Sequence, residues 1–350
     1  MAGFLYKDPE KMQFMKPTSF FSIIVLLTII FSSCDNDTVI RKKISGRPGD
    51  LVIVIPQETW DGQVGEAMKK VLMQSQIGLP QKEPIFSIID VPPIAFKEIF
   101  QSNRNIIYTR ISPTLDSSRV EFKADVWAWP QSVVNIFARN SNEFIELFNK
   151  NSDRIVGYLL RSERERLQRN NVSFPEKGLV NLFKNKFNIE MDVPTGYKLA
   201  KEMDNFLWIR YDTPEITQSI VAYTFPYMSD STFTINYILS TRDSVVKDIE
   251  GSLKGSYMIT DHFSGPLFQK FRFKDNYATE TRGLWKMEND FMGGPFINLA
   301  VLDEANNRVV VIDGFVYAPT KDKRNFLRQV EAIAYSLRFP KPDVQLVANE

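Results

Sequence analysis

Hydrophobic and polar positions divide the chain into two differently patterned halves. A continuous apolar run at residues 51–55, between Asp50 and Pro56, predicts a strand buried on both faces. Val64, Ala67, Met68, Val71 and Leu72 then recur at helical spacing, and Pro80 and Pro84 end that segment. A strand over residues 85–91, a short helix over 95–100 and a strand over 105–111 follow. Residues 120–129 alternate as a longer strand, with Val120, Phe122, Ala124, Val126 and Ala128 on one side and Trp127 and Trp129 on the other. After Pro130, Val133, Val134, Phe137, Phe144, Leu147, Phe148, Ile155 and Leu159 give helical spacing, broken near residues 140–142. The mixed charges of 161–169 predict a solvated continuation of that helix, with Glu–Arg pairs on its face.

The second half is mostly strands. Segments 207–211, 219–225, 232–239, 256–260, 267–273 and 278–285 precede the clearest hairpin, 296–302 with 308–317 joined through 303–307. One helix is predicted over 243–253. A closing helix carries Phe326, Leu327, Val330, Ile333, Ala334 and Leu337 on one face, between Pro319 and Pro340. The fold class is therefore α+β: an N-terminal α/β-like subdomain at residues 47–175 and a C-terminal one at 176–340, mainly antiparallel sheet with a closing helix. A helix around Leu179, Leu182, Phe183 and Phe187 connects them, and residues 341–350 form a tail.

Ahead of both halves, Lys7, Lys11 and Lys16 precede an apolar run at residues 20–31, then Ser32, Ser33, Cys34 and the polar Asp35, Asn36 and Asp37. A basic region, a short apolar region and small residues before a break make a secretory signal peptide. As a helix, residues 20–33 would span only about 21 Å, against a hydrocarbon core of roughly 30 Å, so a membrane-spanning reading fits poorly. Phe31-Ser32-Ser33-Cys34 resembles a bacterial lipobox, with phenylalanine where leucine is usual. That resemblance implies alkylation of the Cys34 thiol with diacylglycerol and cleavage that leaves Cys34 as the new amino terminus, carrying two or three acyl chains such as palmitate. Two chains suffice for stable anchoring. Residues 1–33 are then the lipoprotein signal peptide and 34–46 a polar tether; Met1, Met12 and Met15 all remain open as the start.

Composition narrows the chemistry. The chain has 43 basic and 42 acidic side chains, 1 histidine and 1 cysteine. Removing residues 1–33 leaves equal numbers of acids and bases, so nothing points to nucleic acid. A single cysteine excludes an intramolecular disulfide, and together with one histidine it excludes a Cys/His metal cage. No cofactor is implied. His262 is the sole candidate base for a serine triad, and no Gly-x-Ser-x-Gly elbow supplies a nucleophile. Carboxylate pairs need no motif, and Asp125, before Trp127 and Trp129, is the most suggestive acid because exposed indoles stack on sugar rings. Arg282, Trp285 and a tight Gly293–Gly294 turn requiring positive φ form one candidate binding cleft, a guanidinium beside an indole being suited to an anionic or planar ligand.

Six motifs carry a family resemblance. Trp60-Asp61-Gly62-Gln63-Val64-Gly65, Leu79-Pro80-Gln81-Lys82-Glu83-Pro84, Arg104-Asn105-Ile106-Ile107, Arg282-Gly283-Leu284-Trp285, Met292-Gly293-Gly294-Pro295-Phe296 and Phe315-Val316-Tyr317-Ala318-Pro319 resemble domain-of-unknown-function family 4837 along nearly the whole mature chain. Its members are uncharacterised predicted lipoproteins of Bacteroidetes. The resemblance implies a lipid-anchored protein of a Gram-negative cell envelope, at the outer membrane, with the periplasmic face and the cell surface both open. It implies no activity. The C-terminal half also loosely resembles the photosystem PsbP and Mog-like sandwich, an analogy of fold that carries no function. The expectation is a membrane-tethered binding or interaction module for an envelope protein or glycan. A carboxylate-based hydrolase or carbohydrate-handling enzyme is the alternative.

Overall fold

In the computed structural model, which describes residues 42–340, the two halves of the chain each build one large sheet, and residues 42–43 and 128–129 pair in a small two-stranded one. The predicted signal peptide, Cys34, most of the tether and the tail at 341–350 lie outside the described residues. The first half contains β1 (Lys42–Lys43), β2 (Asp50–Val54), α1 (Gln57–Asp61), α2 (Gln63–Leu72), β3 (Ser87–Val91), α3 (Glu98–Gln101), β4 (Asn105–Ile111), β5 (Arg119–Ala124), β6 (Ala128–Trp129), β7 (Ser132–Ala138) and α4 (Ser141–Ser173). Its five-stranded sheet runs β3-β2-β4-β7-β5, parallel except where β5 pairs with β7.

Two elements here differ from the sequence expectation. Residues 132–138 form a strand, not the start of a helix: Val133, Val134 and Ile136 are buried on both faces of the sheet, and the helix begins only where Asn140 accepts the Glu143 N–H as its cap. The long alternating strand also stops at Ala124. Asp125 takes φ 57°, and its carboxylate accepts the Gln131 N–H at 2.8 Å, so the chain turns before Trp127.

One face of this sheet is covered by helices. On α2, Val64, Met68 and Leu72 are buried, and on α4 Phe144, Phe148, Ile155 and Leu159 are, each set aligned along one stripe against Leu51, Ile53, Ile107 and Val134. The opposite face, carrying Val52, Val54, Ile106 and Val133, has only a thin cover of half-buried rings and small residues, among them Phe96, Phe100, Tyr108 and Trp127.

After α5 (Lys177–Phe187), the predicted connecting helix, the second half contains β8 (Lys198–Met203), β9 (Phe206–Asp212), β10 (Thr217–Pro226), α6 (Ile235–Val246), β11 (Tyr257–Thr260), β12 (Leu267–Phe273), β13 (Asn276–Glu288), β14 (Gly293–Asp303), β15 (Arg308–Tyr317) and α7 (Arg324–Ala334). The strands make a curled antiparallel sheet ordered β11-β13-β14-β15-β10-β9-β8, with β12 also on β13, and α7 closes it; the fold class is α+β. The predicted strand at 232–239 and helix at 243–253 are replaced by one helix, α6. Thr234 caps it by accepting the Tyr237 N–H, and Ile238, Leu239, Arg242 and Val246 turn inward. The alternation in 232–239 is too short to outweigh that helical stripe.

Period-two alternation buries both faces of the central strands. Ile297, Leu299 and Val301 face α5 and α7, while Phe296, Ala300 and Leu302 face the layer containing α6. On that second side Arg242 forms a closed pair with Asp313, Nε to Oδ2 at 2.7 Å, with neither side chain exposed to solvent.

The halves are joined by charge as well as by packing. α4 packs against α7. Glu83, in the proline-flanked motif of the first half, accepts the Lys323 and Arg324 backbone N–H groups at 2.7 and 2.8 Å. A buried carboxylate thus caps the first turn of the closing helix, where the free amides and the helix dipole both favour an anion.

Candidate functional site

A cleft of about 480 Å³ opens where α4, α7, the β12–β13 edge and the connection between α2 and β3 meet. That volume falls within the usual range for small-molecule sites. Ile77, Ile85, Val156, Leu160, Leu267 and Phe268 supply apolar wall, and Arg164, Glu163, Glu280, Arg282, Arg328 and Glu331 supply charge. Period-two geometry places Glu280 and Arg282 on one face of β13, and a helical turn brings Arg328 and Glu331 together on α7.

Four of these charges, Arg164, Arg282, Glu280 and Glu331, form one set of ion pairs. Arg282 grips Glu280 through two bonds, Nε to Oε1 at 2.7 Å and Nη2 to Oε2 at 2.9 Å, and its Nη2 also lies 3.0 Å from Glu331. Arg164 reaches Glu331 at 3.0 Å and stacks 3.9 Å over the Tyr335 ring, while the Tyr335 hydroxyl donates to Glu280 at 2.5 Å. Gln269 donates to Glu280 at 2.9 Å. Arg328 donates to Gln76 and to the Ile85 carbonyl at 3.0 and 2.7 Å.

Ionisation follows from that geometry. Burial alone would raise the Glu331 pKa, but Arg282 and Arg164 outweigh it and hold the carboxyl below the usual range. Burial likewise opposes the charge on Arg282, yet Glu331 and Glu280 hold its pKa well above the ordinary value. Burial pushes Arg328 down to about 10, so it stays charged at neutral pH. Burial and the two carboxylates push Tyr335 upward, so it keeps the proton it donates. The floor is a set of fixed charges rather than a proton donor poised for catalysis.

Beside it, Glu163 and Arg166 depart from the expected solvated face. Both are buried: Glu163 accepts from Asn105 at 2.6 Å and lies 3.0 Å from Arg104, and Arg166 donates to Asn105 at 2.7 Å. Arg-Glu spacing on a helix does not reveal that the starts of β4 and β7 will cover it.

The cleft predicted from Arg282, Trp285 and the glycines does not form. Residues 282 and 285 are three apart on a strand and point to opposite faces. Arg282 lines the central cleft, whereas Trp285 is 2% exposed in the core, donating from Nε1 to the Val316 carbonyl at 3.2 Å. Gly293 and Gly294 are the first residues of β14 and neither has positive φ; Asn289, at φ 61°, takes that role. Gly294 is needed for close approach instead, since a Cβ there would sit 2.1 Å from the Val316 carbonyl oxygen.

Trp127 and Trp129 also part company, and neither lines the cleft. Trp127 packs edge-on to Phe96 at 5.2 Å, while Trp129 is half exposed with Arg169 5.8 Å above its ring. His262 sits in an exposed turn, Nε2 2.7 Å from Asp243, and the neighbouring Ser264 hydroxyl donates to the Asp261 carbonyl. Among the described residues no serine hydroxyl is bonded to the imidazole, and no group of three His, Cys, Asp or Glu is placed to hold a metal. No described helix is long and apolar enough to cross a membrane.

Residues 177–336 match the family described as Domain of unknown function (DUF4837), and residues 44–172 match a second, described as Domain of unknown function (DUF8532). The six motifs therefore divide, three falling in each range. No curated protein matches the sequence. Among solved structures, the chain is similar to the Saccharomyces cerevisiae Ran-binding protein Mog1p at 10% identity, TM-score 0.27, over 43% of this chain and 90% of that one. A Bacteroides thetaiotaomicron structure gives 11% identity and TM-score 0.21 over 45% and 46%. The human StarD13 lipid transfer and protein localization domain gives 12% and 0.22 over 46% and 95%.

Proposed function

We infer, for a chain whose residues 177–336 match the domain-of-unknown-function family DUF4837, that the protein is a lipid-tethered binding module of a Gram-negative cell envelope. The central cleft is its ligand site. The observation that carries the binding role is the pairing of apolar wall with a floor in which Arg282 and Arg164 are paired with Glu280 and Glu331, while Arg328 bonds only neutral groups and keeps a buried Nη1 without a partner. Such a floor orients the polar end of an amphiphilic ligand while the wall takes its apolar body. The tether rests on the apolar run ending in Phe31-Ser32-Ser33-Cys34 and its polar flank.

Hydrolysis by the same cleft fits less well. A glycosidic general acid needs a carboxyl with a raised pKa, and Glu331 is displaced the other way by Arg282 and Arg164, which outweigh its burial. Native mass spectrometry of protein extracted from membranes in mild detergent tests the reading. Wild type should carry a stoichiometric ligand mass that Val156→Trp, with an indole filling the cleft, lacks at an unchanged fold. An empty wild-type cleft, together with turnover of chromogenic glycosides lost in Glu280→Gln, would replace the binding module with the enzyme.

A further inference from the structure

The described chain begins at a corner that is unusually apolar. Lys42 and Lys43 pair with Ala128 and Trp129, and the Ile44 N–H donates to the Trp129 carbonyl at 3.1 Å. Lys42 also lies 2.7 Å from Glu98, which precedes Ile99. Phe96, two residues after Ile94, packs on Trp127, beside Val126. Four large apolar side chains are consequently exposed around one point of entry: Ile94 at 87%, Ile99 at 76%, Trp129 at 49% and Val126 at 42%. Single exposed apolar residues are ordinary, but a group of them rimmed by cations marks a contact surface. Lys43, Lys97 and Arg169 provide the rim, with Arg169 over the Trp129 ring.

Chain length says what covers this surface. Seven residues lie between Cys34 and Lys42, and the eight steps from one to the other span at most about 29 Å even fully extended. A compact chain of some 300 residues has a radius of gyration of roughly 19 Å, so a tether that short keeps the Lys42 corner, and not the far side, at the membrane. Indole rings and lysines beside exposed isoleucines suit the headgroup boundary, where apolar tips enter and cations meet lipid phosphates.

We propose that the Lys42 corner is a membrane-contact face, on which Ile94, Ile99 and Trp129 seat the body against the bilayer that holds its lipid. This rests on the lipid tether through Cys34. Acylation blocks the only thiol, so an introduced cysteine can be labelled alone. The test takes full-length mature lipoprotein bearing Ile94→Cys, Ile99→Cys or, as a fully exposed control in the β13–β14 turn of the second half, Phe291→Cys, each carrying an environment-sensitive dye. These are placed in phosphatidylethanolamine–phosphatidylglycerol vesicles with doxyl-labelled lipid. Labels at 94 and 99 should shift to the blue and lose intensity to the doxyl group, with the label at 291 unchanged. Vesicle flotation with all three labels in water would overturn the contact face and leave the tether standing. Equal quenching at all three would overturn it too, by removing any preferred face. Labelling of a free thiol in the wild-type protein, with no flotation, would overturn the tether and the contact face together.

Discussion

The central cleft and the Lys42 corner treat solvent in opposite ways. In the cleft, charge is drawn inward and paired: Arg282 holds both Glu280 and Glu331, and Arg164 also reaches Glu331. At the corner, apolar side chains face outward and little holds them: α3 is a single turn, and the sheet face behind it is covered by half-buried rings instead of long helices. A surface that costs folding energy to keep and one that costs almost none must be maintained for different reasons. In the roles proposed for them, the first shapes a ligand site and the second meets the bilayer.

Substitutions should separate the two regions by stability. Arg282→Met leaves two carboxylates in the cleft without their shared cation and should cost about 3–5 kcal/mol in denaturant unfolding. A loss under roughly 1 kcal/mol would mean that the charges are solvated and the cleft is not preorganised.

Glu331→Gln is milder, removing the charge from its two contacts, with Arg282 and Arg164, while keeping an amide acceptor, at about 1–3 kcal/mol. Its pH dependence is more telling. The folded pKa of Glu331 is lowered against its own burial by Arg282 and Arg164, so its stabilisation is complete above the unfolded value of 4.5 and fades as pH falls through the folded one. The melting temperature of wild type should drop more steeply than that of Glu331→Gln below pH 4.5, with parallel curves above it. Parallel curves throughout would detach Glu331 from acid stability.

The smallest effect belongs to the corner. Ile94→Ser with Ile99→Ser should change unfolding free energy by no more than about 0.5 kcal/mol, because both side chains are already in water. A larger loss would make them part of the fold and dissolve the contrast with the cleft.

What could be read in advance followed the range of the forces involved. The hairpin at 296–317 and the closing helix rest on local alternation and local amphipathicity, and the structure has both. Strand β7 and helix α6 depart from expectation because Val133, Val134 and Phe137 fit a helical stripe as well as a buried strand, and 232–239 alternates only briefly before Arg242 and Val246 declare the helix. The cleft left almost no trace. Arg164, Glu280 and Glu331 meet from distant parts of the chain, and only Arg282 was singled out, for a partner on the wrong side of its strand. Pairings of that kind are set by sheet order, which single-residue chemistry does not encode. Glu83 is the same lesson at the closing helix, a carboxylate inside a readable motif whose task appears only once residues 323 and 324 reach it.

The proposed tether underlies both readings, since it would put the corner at the bilayer and the cleft in the envelope. The amino-terminal peptide of protein recovered from the membrane fraction tests it directly by mass. The account predicts a peptide that begins at Cys34 and bears a diacylglyceryl thioether, with or without a third acyl chain on its amino group. A peptide that begins at Met1, Met12 or Met15 and runs through an unmodified Cys34 would contradict it.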